Sequence, residues 1–314
     1  MSGRRDQGGP DVPDVSDVPD VSPELPGKPW RVTLGLLERL PQAALSRGLG
    51  ALADTPLPLA LRRPVIGGFA RMIGIDTAEA ERPVTEYASL NAFFARRLRH
   101  GARGWPMDDR VLTSPVDGVI GQHGTVRDGR LIQAKGRDYS ASDLLAGDDA
   151  DRFNGGSFVT IYLSPRHYHR IHAPCGGTIP SARYVPGALL PVNAPAVQHV
   201  RDLFPRNERV ICTIDSEVGR VAVIAVGAYN VGRISTAFDD DWVGPGASVA
   251  NRREAPPHVR SYDPPLRIAQ GDEIMAFHLG STIVMLVEPG WLSQAPAAGT
   301  EVRLGEPLLH CTSS

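Results

Sequence analysis

Three of the nine histidines in this 314-residue sequence fall within six residues, in Tyr162-Leu-Ser-Pro-Arg-His167-Tyr-His169-Arg-Ile-His172-Ala-Pro174. Imidazoles gathered this closely suit two kinds of chemistry. One is metal binding, since His167 and His169 would share a face of an extended strand, yet neither an HExxH pattern nor a nearby carboxylate completes a ligand set. No metal is expected. The other is acid/base work, for which a group titrating near neutrality is suited. A surface or hydrogen-bonded role is the plain alternative for any single histidine and a weaker account of the cluster. Two further segments could join it. Thr113-Ser-Pro-Val-Asp117-Gly-Val-Ile120 places a carboxylate at a turn opening into a β-type run, which alone is ordinary Asp-Gly turn chemistry. Phe277-His-Leu-Gly280-Ser281-Thr282 sets Gly-Ser-Thr inside an otherwise apolar run, where a glycine marks a bulge or close backbone approach and a hydroxyl follows directly. Asp117, His172 and Ser281 also fit the chain order of a hydrolase triad, although no GxSxG nucleophile elbow is present.

The elements that must position these residues are mainly strands. After Leu98 the sequence turns into short runs rich in Val, Ile and Thr, separated by Gly/Pro turns: Phe158 to Leu163, Arg209 to Ile214, Arg220 to Val226 and Thr282 to Val287. No series of strands alternating with long helices appears, and neither GxGxxG nor GxxxxGK[ST] occurs, which argues against a doubly wound nucleotide-binding sheet. Asp239 to Pro265 is polar and Pro-rich and reads as a long surface loop. Ahead of the strands, Ser89 to Leu98 is helix-like. Leu34, Leu37, Leu45, Leu49 and Leu52 recur at near-helical spacing, and Leu61, Val65, Phe69 and Met72 step by three or four beyond the Pro56/Pro58 break. Residues 30–74 carry six arginines against Glu38 and Asp54, so they read either as a basic amphipathic element on an anionic membrane surface or as ordinary packed helices. Residues 1–29 repeat Asp-Val-Pro-Asp-Val-Ser, hold six acidic side chains against three basic, and read as a disordered acidic tail rather than a signal peptide.

The fold class expected is therefore α+β, with N-terminal helices followed by a mainly antiparallel β domain. Its parts are a tail over 1–29, a helical region over 30–100 and a β-rich catalytic domain over 101–314. A hydrophobic fraction of 42% is enough for a real core. The net charge of −2 gives no electrostatic footprint for nucleic acid. The longest strongly apolar stretch, Ile274 to Val287, is shorter than the roughly 18 to 20 residues of a bilayer-spanning helix. Cys175, Cys212 and Cys311 are odd in number and never in CxxC spacing, against a disulfide framework and in keeping with a reducing cytoplasm.

Taken together and in this order, SPVDG around Asp117, Gln133-Ala-Lys-Gly136, the YLSPRHYHRIHAP run, Leu203-Phe-Pro-Arg-Asn-Glu-Arg-Val210 and Leu279-Gly-Ser-Thr282 resemble the bacterial phosphatidylserine decarboxylase family, whose members depend on a pyruvoyl group. The resemblance runs from about Trp30 to the C-terminus. His167 stands where the family commonly has Asp and takes no role from it.

The resemblance implies a proenzyme that cuts itself between Gly280 and Ser281, giving a β chain over 1–280 and an α chain over 281–314 that remain partners. Gly280, without a Cβ, lets the backbone present its carbonyl to the Ser281 hydroxyl. His172, oriented by Asp117, is the implied base for that hydroxyl. Acyl shift, β-elimination and loss of ammonia convert Ser281 into a covalent pyruvoyl cofactor. Its ketone forms a Schiff base with phosphatidylserine and acts as electron sink while CO2 departs, leaving phosphatidylethanolamine. His169 is implied in carboxylate contact or protonation, and two histidines three positions apart could exchange roles. A phospholipid substrate favours the membrane-docking reading of residues 30–74 and a peripheral location on the cytoplasmic face of the cell membrane, with a homodimer as a further arrangement. The rivals are a pyruvoyl decarboxylase of soluble amino acids, a Ser-His-Asp hydrolase that stays uncut, and a noncatalytic lipoyl-like module, suggested by the β elements of Pro289 to Leu309.

Overall fold

The computed structural model describes residues 52–106, 108, 110–134, 136–217, 219–228, 234–239, 242, 257–278, 281–293 and 295–311. The acidic tail, the Leu34 to Leu49 stretch, Lys135 and Gly280 lie outside them.

Five α-helices and sixteen strands follow one another in the described chain. The helices are α1 (Leu59–Ile73), α2 (Leu90–Phe94), α3 (Ala141–Leu145), α4 (Ala194–His199) and α5 (Leu203–Arg206). The strands are β1 (Val111–Thr113), β2 (Gly118–Thr125), β3 (Arg130–Ala134), β4 (Arg137–Ser140), β5 (Ser157–Leu163), β6 (Arg170–His172), β7 (Gly177–Val185), β8 (Arg209–Ser216), β9 (Gly219–Val226), β10 (Ile234–Thr236), β11 (His258–Ile268), β12 (Glu273–Phe277), β13 (Ser281–Val287), β14 (Trp291–Ser293), β15 (Glu301–Val302) and β16 (Pro307–Cys311). The class is α+β, with most of the strands in antiparallel sheets and few helices.

The largest sheet has eight strands in the order β11-β7-β8-β9-β13-β5-β2-β15, every pairing antiparallel. Strand β13 lies inside it and is buried along its whole length. Because successive side chains on a strand face opposite ways, Ile283, Met285 and Val287 enter one hydrophobic core while Val284 and Leu286 enter another. Strand β9 divides in the same manner, Val221, Val223 and Ala225 against Ala222, Ile224 and Val226. Both strands read as unbroken apolar runs because both faces are covered.

Two smaller sheets carry part of the site. Strands β10-β12-β6 form one, and β1-β16-β14 the other. The closing segment is therefore no separate module: β15 pairs with β2, and β16 pairs with β1, on either side of the SPVDG turn.

Three expectations change in detail. The polar Asp239 to Pro265 stretch is not loop throughout, because His258 to Pro265 belong to β11. This is an edge strand, where prolines cost no ladder bond on the open side, and its register slips between Ser261 and Leu266. The helix expected over Ser89 to Leu98 is only the short α2, capped by the Ser89 hydroxyl accepting from Ala92 N at 3.1 Å. Beyond it the backbone bonds to the chain before it, Glu81 N donating to Arg97 O at 2.8 Å and Arg99 N to Glu79 O at 2.9 Å. Helix α1 exists, but its buried residues are Ile66 and Ala70, which join Tyr87 and Phe93. The stripe of Leu61, Val65 and Met72 points outward, 48%, 37% and 77% exposed.

Candidate active site

Ser281 opens β13, opposite Leu163 at the end of β5. From Leu163 the chain enters the histidine run, so the sheet register alone brings the serine beside it. The Ser281 side chain is fully buried, and its Oγ has no hydrogen-bond partner among the described residues. A buried hydroxyl left unpaired costs about 1–3 kcal/mol.

Each histidine is held differently. His167 sits in the turn after β5, its Nδ1 accepting from Ser164 N at 2.9 Å. Burial pushes its pKa down to about 4, so at neutral pH it is an uncharged turn cap. It is not on a strand shared with His169, and the metal reading loses its geometric premise. His169 is fully buried, donates its Nδ1–H to His167 O at 2.8 Å, and stacks obliquely on Phe94 with ring centres 4.0 Å apart. Its pKa is pushed down to about 3, by burial above all, and its Nε2 has no partner among the described residues. Since a carbonyl only accepts, the proton of the neutral ring is on Nδ1 and the unpartnered nitrogen is a bare lone pair.

His172 closes β6 opposite Glu273. Its Nδ1–H is donated to Gly271 O at 2.7 Å, leaving Nε2 to accept from the Tyr168 hydroxyl at 3.1 Å. Trp105 and Tyr168 flank the ring at 6.0 and 5.7 Å between centres. Burial lowers this pKa as well. Gly271 has φ +87°, and a Cβ there would meet the Trp105 indole at 2.7 Å, so the carbonyl that fixes the His172 tautomer comes from a place only glycine fills comfortably.

Asp117 does not orient His172, which corrects the expected pairing. Its carboxylate accepts from Arg103 Nε at 3.1 Å and Nη2 at 2.6 Å, and from Leu304 N at 2.8 Å. Arg103 also bonds Glu79 at 3.0 Å. The link to His172 is through backbone, His172 N donating to Pro115 O at 2.9 Å. Next to the carboxylate, Gly118 allows the chain to press onto β5, where a Cβ would lie 2.5 Å from Ile161 Cγ2 and 2.7 Å from Tyr162 O.

The strand before Ser281 is tied to the same cluster. Phe277 N donates to His169 O at 2.9 Å, and the His278 ring contacts Ser235 Oγ at 3.1 Å and Asn91 Nδ2 at 3.4 Å. The register thus brings Ser281 to the start of the histidine run and His169 to the end of β12 nearest β13, while His172 lies opposite Glu273 at the far end of β12. Sequence reading missed Tyr168, Trp105, Arg103 and the residues of α2. The one signal for the last group was the compact Phe93-Phe94-Ala-Arg96-Arg97 after a capping serine. Two of the quoted motifs prove to be scaffolding. Gln133 donates to Val197 O and Val200 O and accepts from Leu203 N, and buried Arg209 bonds the carbonyls of Leu144, Asp143 and Asn207.

The family model described as phosphatidylserine decarboxylase matches residues 90–310, a span that begins at α2 and holds every residue of this cluster. The chain belongs to the phosphatidylserine decarboxylase family. Similar proteins carry the same family name, each as a phosphatidylserine decarboxylase proenzyme. That of Anaeromyxobacter sp. (strain K) is 44% identical over 88% of this chain and 98% of its own length. That of Aliivibrio salmonicida is 39% identical over 88% and 97%, and that of Myxococcus xanthus 38% identical over 87% and 96%. Membership in the phosphatidylserine decarboxylase family makes this chain a decarboxylase, a lyase.

Proposed function

We propose that the chain is a self-processing decarboxylase that converts phosphatidylserine to phosphatidylethanolamine and CO2, using a pyruvoyl group made from its own Ser281. The observation that carries the reading is the unpartnered, fully buried Ser281 Oγ at the head of the central strand β13. In maturation that oxygen attacks the Gly280 carbonyl carbon, and the Gly280–Ser281 amide becomes an ester as the nitrogen takes up a proton. β-Elimination then removes the Ser281 Cα proton as the Cβ–O bond breaks, leaving a Gly280 carboxylate and a dehydroalanine, whose imine tautomer adds water and expels ammonia to give the pyruvoyl ketone. His172 is the base. Its Nδ1–H is committed to Gly271, so Nε2 is the accepting atom, and the Tyr168 hydroxyl seated on that lone pair must relay the proton or yield its place. Asp117 acts as a positioning residue, pairing with Arg103 and capping Leu304 N on the segment after the cut.

The buried position of Ser281 suits the group it becomes, which supplies a ketone that condenses with an amine and draws off the electrons released with CO2. His169 handles the proton. Held neutral by burial, it gains attraction for a proton when a substrate anion arrives beside Nε2, because an opposite charge favours the imidazolium. When the carboxylate leaves as uncharged CO2, that attraction ends and the proton is released toward the carbon left behind.

The exposed Leu59, Leu61, Val65 and Met72 on α1, with Arg62, Arg63 and Arg71 in the same helix, support peripheral docking of residues 30–74 on an anionic membrane surface at the cytoplasmic face. Among the described residues no helix is long and apolar enough to cross a bilayer.

Intact mass tests the whole reading. Two chains are expected, 1–280 and a 281–314 piece with a blocked N-terminus, and Ser281→Ala stays uncut and inactive. A single full-length chain that decarboxylates phosphatidylserine would overturn it.

A further inference from the structure

Buried guanidinium groups in this molecule are almost all spoken for. Arg209, 2% exposed, directs its nitrogens at four backbone carbonyls. Arg103 is shared between Asp117 and Glu79, and Arg170 bonds Glu273 and Ala95 O. Arg96 differs. It is 4% exposed, yet neither its Nε nor its Nη1 has an acceptor among the described residues. Phe93 lies under the guanidinium, 5.4 Å from ring centre to Cζ, and offers an aromatic face but no oxygen.

An arginine does not shed its proton to escape such a position, and a buried charge without a counter-ion is costly, so its surroundings call for an anion. The nearest carboxylates do not supply one, for Asp117 and Glu79 are committed to Arg103. Arg96 nevertheless belongs to the site. It follows α2, whose Phe94 stacks on His169, and its charge is felt at the His169 ring. Its own field includes Tyr87 foremost, then Asp117 and Tyr168. The Nε2 of His169 is likewise without a partner. Two donors and one lone pair are thus left open in one buried neighbourhood.

We propose that the Arg96 guanidinium is the receptor for an oxyanion of the substrate headgroup, either its phosphodiester or its carboxylate. The inference rests on phosphatidylserine being the substrate. A planar guanidinium offers forked donors that match both groups, and the same anion brings negative charge to His169.

The test uses the processed two-chain enzyme in mixed micelles, comparing wild type, Arg96→Gln and Arg96→Lys after intact mass has established cleavage. Loss of a charge-assisted contact raises KM for phosphatidylserine by roughly 10- to 100-fold in Arg96→Gln, and by less in Arg96→Lys, which keeps a point charge without the fork. Competitive inhibition by phosphatidylethanolamine, which has the phosphodiester but no carboxylate, separates the two anions. Weaker inhibition in step with KM assigns Arg96 to the phosphodiester, and unchanged inhibition with raised KM assigns it to the carboxylate. KM and inhibition both within twofold of wild type would overturn the proposal, as would a defect confined to cleavage. Should Arg96→Gln fail to fold, Arg96→Lys decides alone, with wild-type KM and inhibition counting against the receptor. A wild-type protein that is never cut, or that ignores phosphatidylserine, defeats the proposed function before Arg96 is tested.

Discussion

The chemistry of the three clustered imidazoles is set by what each Nδ1 touches. His169 and His172 give that proton to carbonyls, of His167 and Gly271, which leaves the His169 Nε2 without a partner among the described residues and the His172 Nε2 to the Tyr168 hydroxyl, whereas His167 spends its Nδ1 on closing a turn. If His172 works through the Tyr168 hydroxyl, Tyr168→Phe removes one hydrogen bond worth about 1 kcal/mol or more and slows self-cleavage by roughly tenfold. A gel time course of the newly made chain reads this, and an unchanged rate would remove Tyr168 from the path. Burial also makes these rings acid-sensitive. His167 and His169 titrate near 4 and 3 in the folded chain against about 6.5 unfolded, so below pH 6.5 the unfolded chain takes up protons that the folded chain refuses. Stability is therefore full above about pH 6.5 and falls as the pH drops toward 4. Thermal melts of Ser281→Ala between pH 7.5 and 4.5 check it, and a flat Tm would contradict it. The sequence showed that imidazoles cluster, because clustering is a matter of spacing. It could not show their tautomers, since Gly271 lies 99 residues from His172. Nor could it single out Arg96, since the burial of its guanidinium without an acceptor among the described residues is not written in its type.

Among the elements, β13 carries the most consequence. It holds Ser281 at its first position and supplies both cores through alternate side chains, so its geometry and its packing cannot be separated. Leu286, fully buried, tests this away from the reacting end. Leu286→Ala is expected to cost about 2–5 kcal/mol, read by urea unfolding of the uncut Ser281→Ala chain, and a cost under about 1 kcal/mol would show that the neighbouring strands collapse onto the gap. The strands were legible because Val, Ile and Leu covered on both faces leave a continuous apolar signature. The β11 strand was hidden by its prolines, which an edge position accommodates. The short α2 was overread because the sequence from Ser89 to Leu98 favours helix locally, while backbone bonds from Glu81 N and to Glu79 O draw its second half into an extended path.

At the scale of the whole molecule, exposed apolar side chains are not scattered. Of the six large ones among the described residues, Leu52, Leu59, Leu61, Val65 and Met72 belong to the N-terminal stretch and only Val259 lies elsewhere. The spacing of this stripe was correctly seen in the sequence, but not which side of the helix the protein would keep; Ile66 and Ala70 decide that by packing on Tyr87 and Phe93. A triple variant, Leu61→Asp, Val65→Asp and Met72→Asp, should bind anionic vesicles at least about tenfold more weakly, since each side chain withdrawn from the interface forgoes up to about 1.5–3 kcal/mol. Co-sedimentation measures this, with self-cleavage of the variant serving as the check on folding, and undiminished binding would locate the docking surface elsewhere. The segment after Ser281 contributes β13 at the heart of the large sheet, β15 on its edge and β14 and β16 around the SPVDG turn. If the chain is cut before Ser281 as proposed, the order of the folding reaction changes. The precursor folds as one molecule, but the matured enzyme, once opened, must find a lost strand by diffusion at a second-order rate, so its recovery depends on dilution and the precursor's does not.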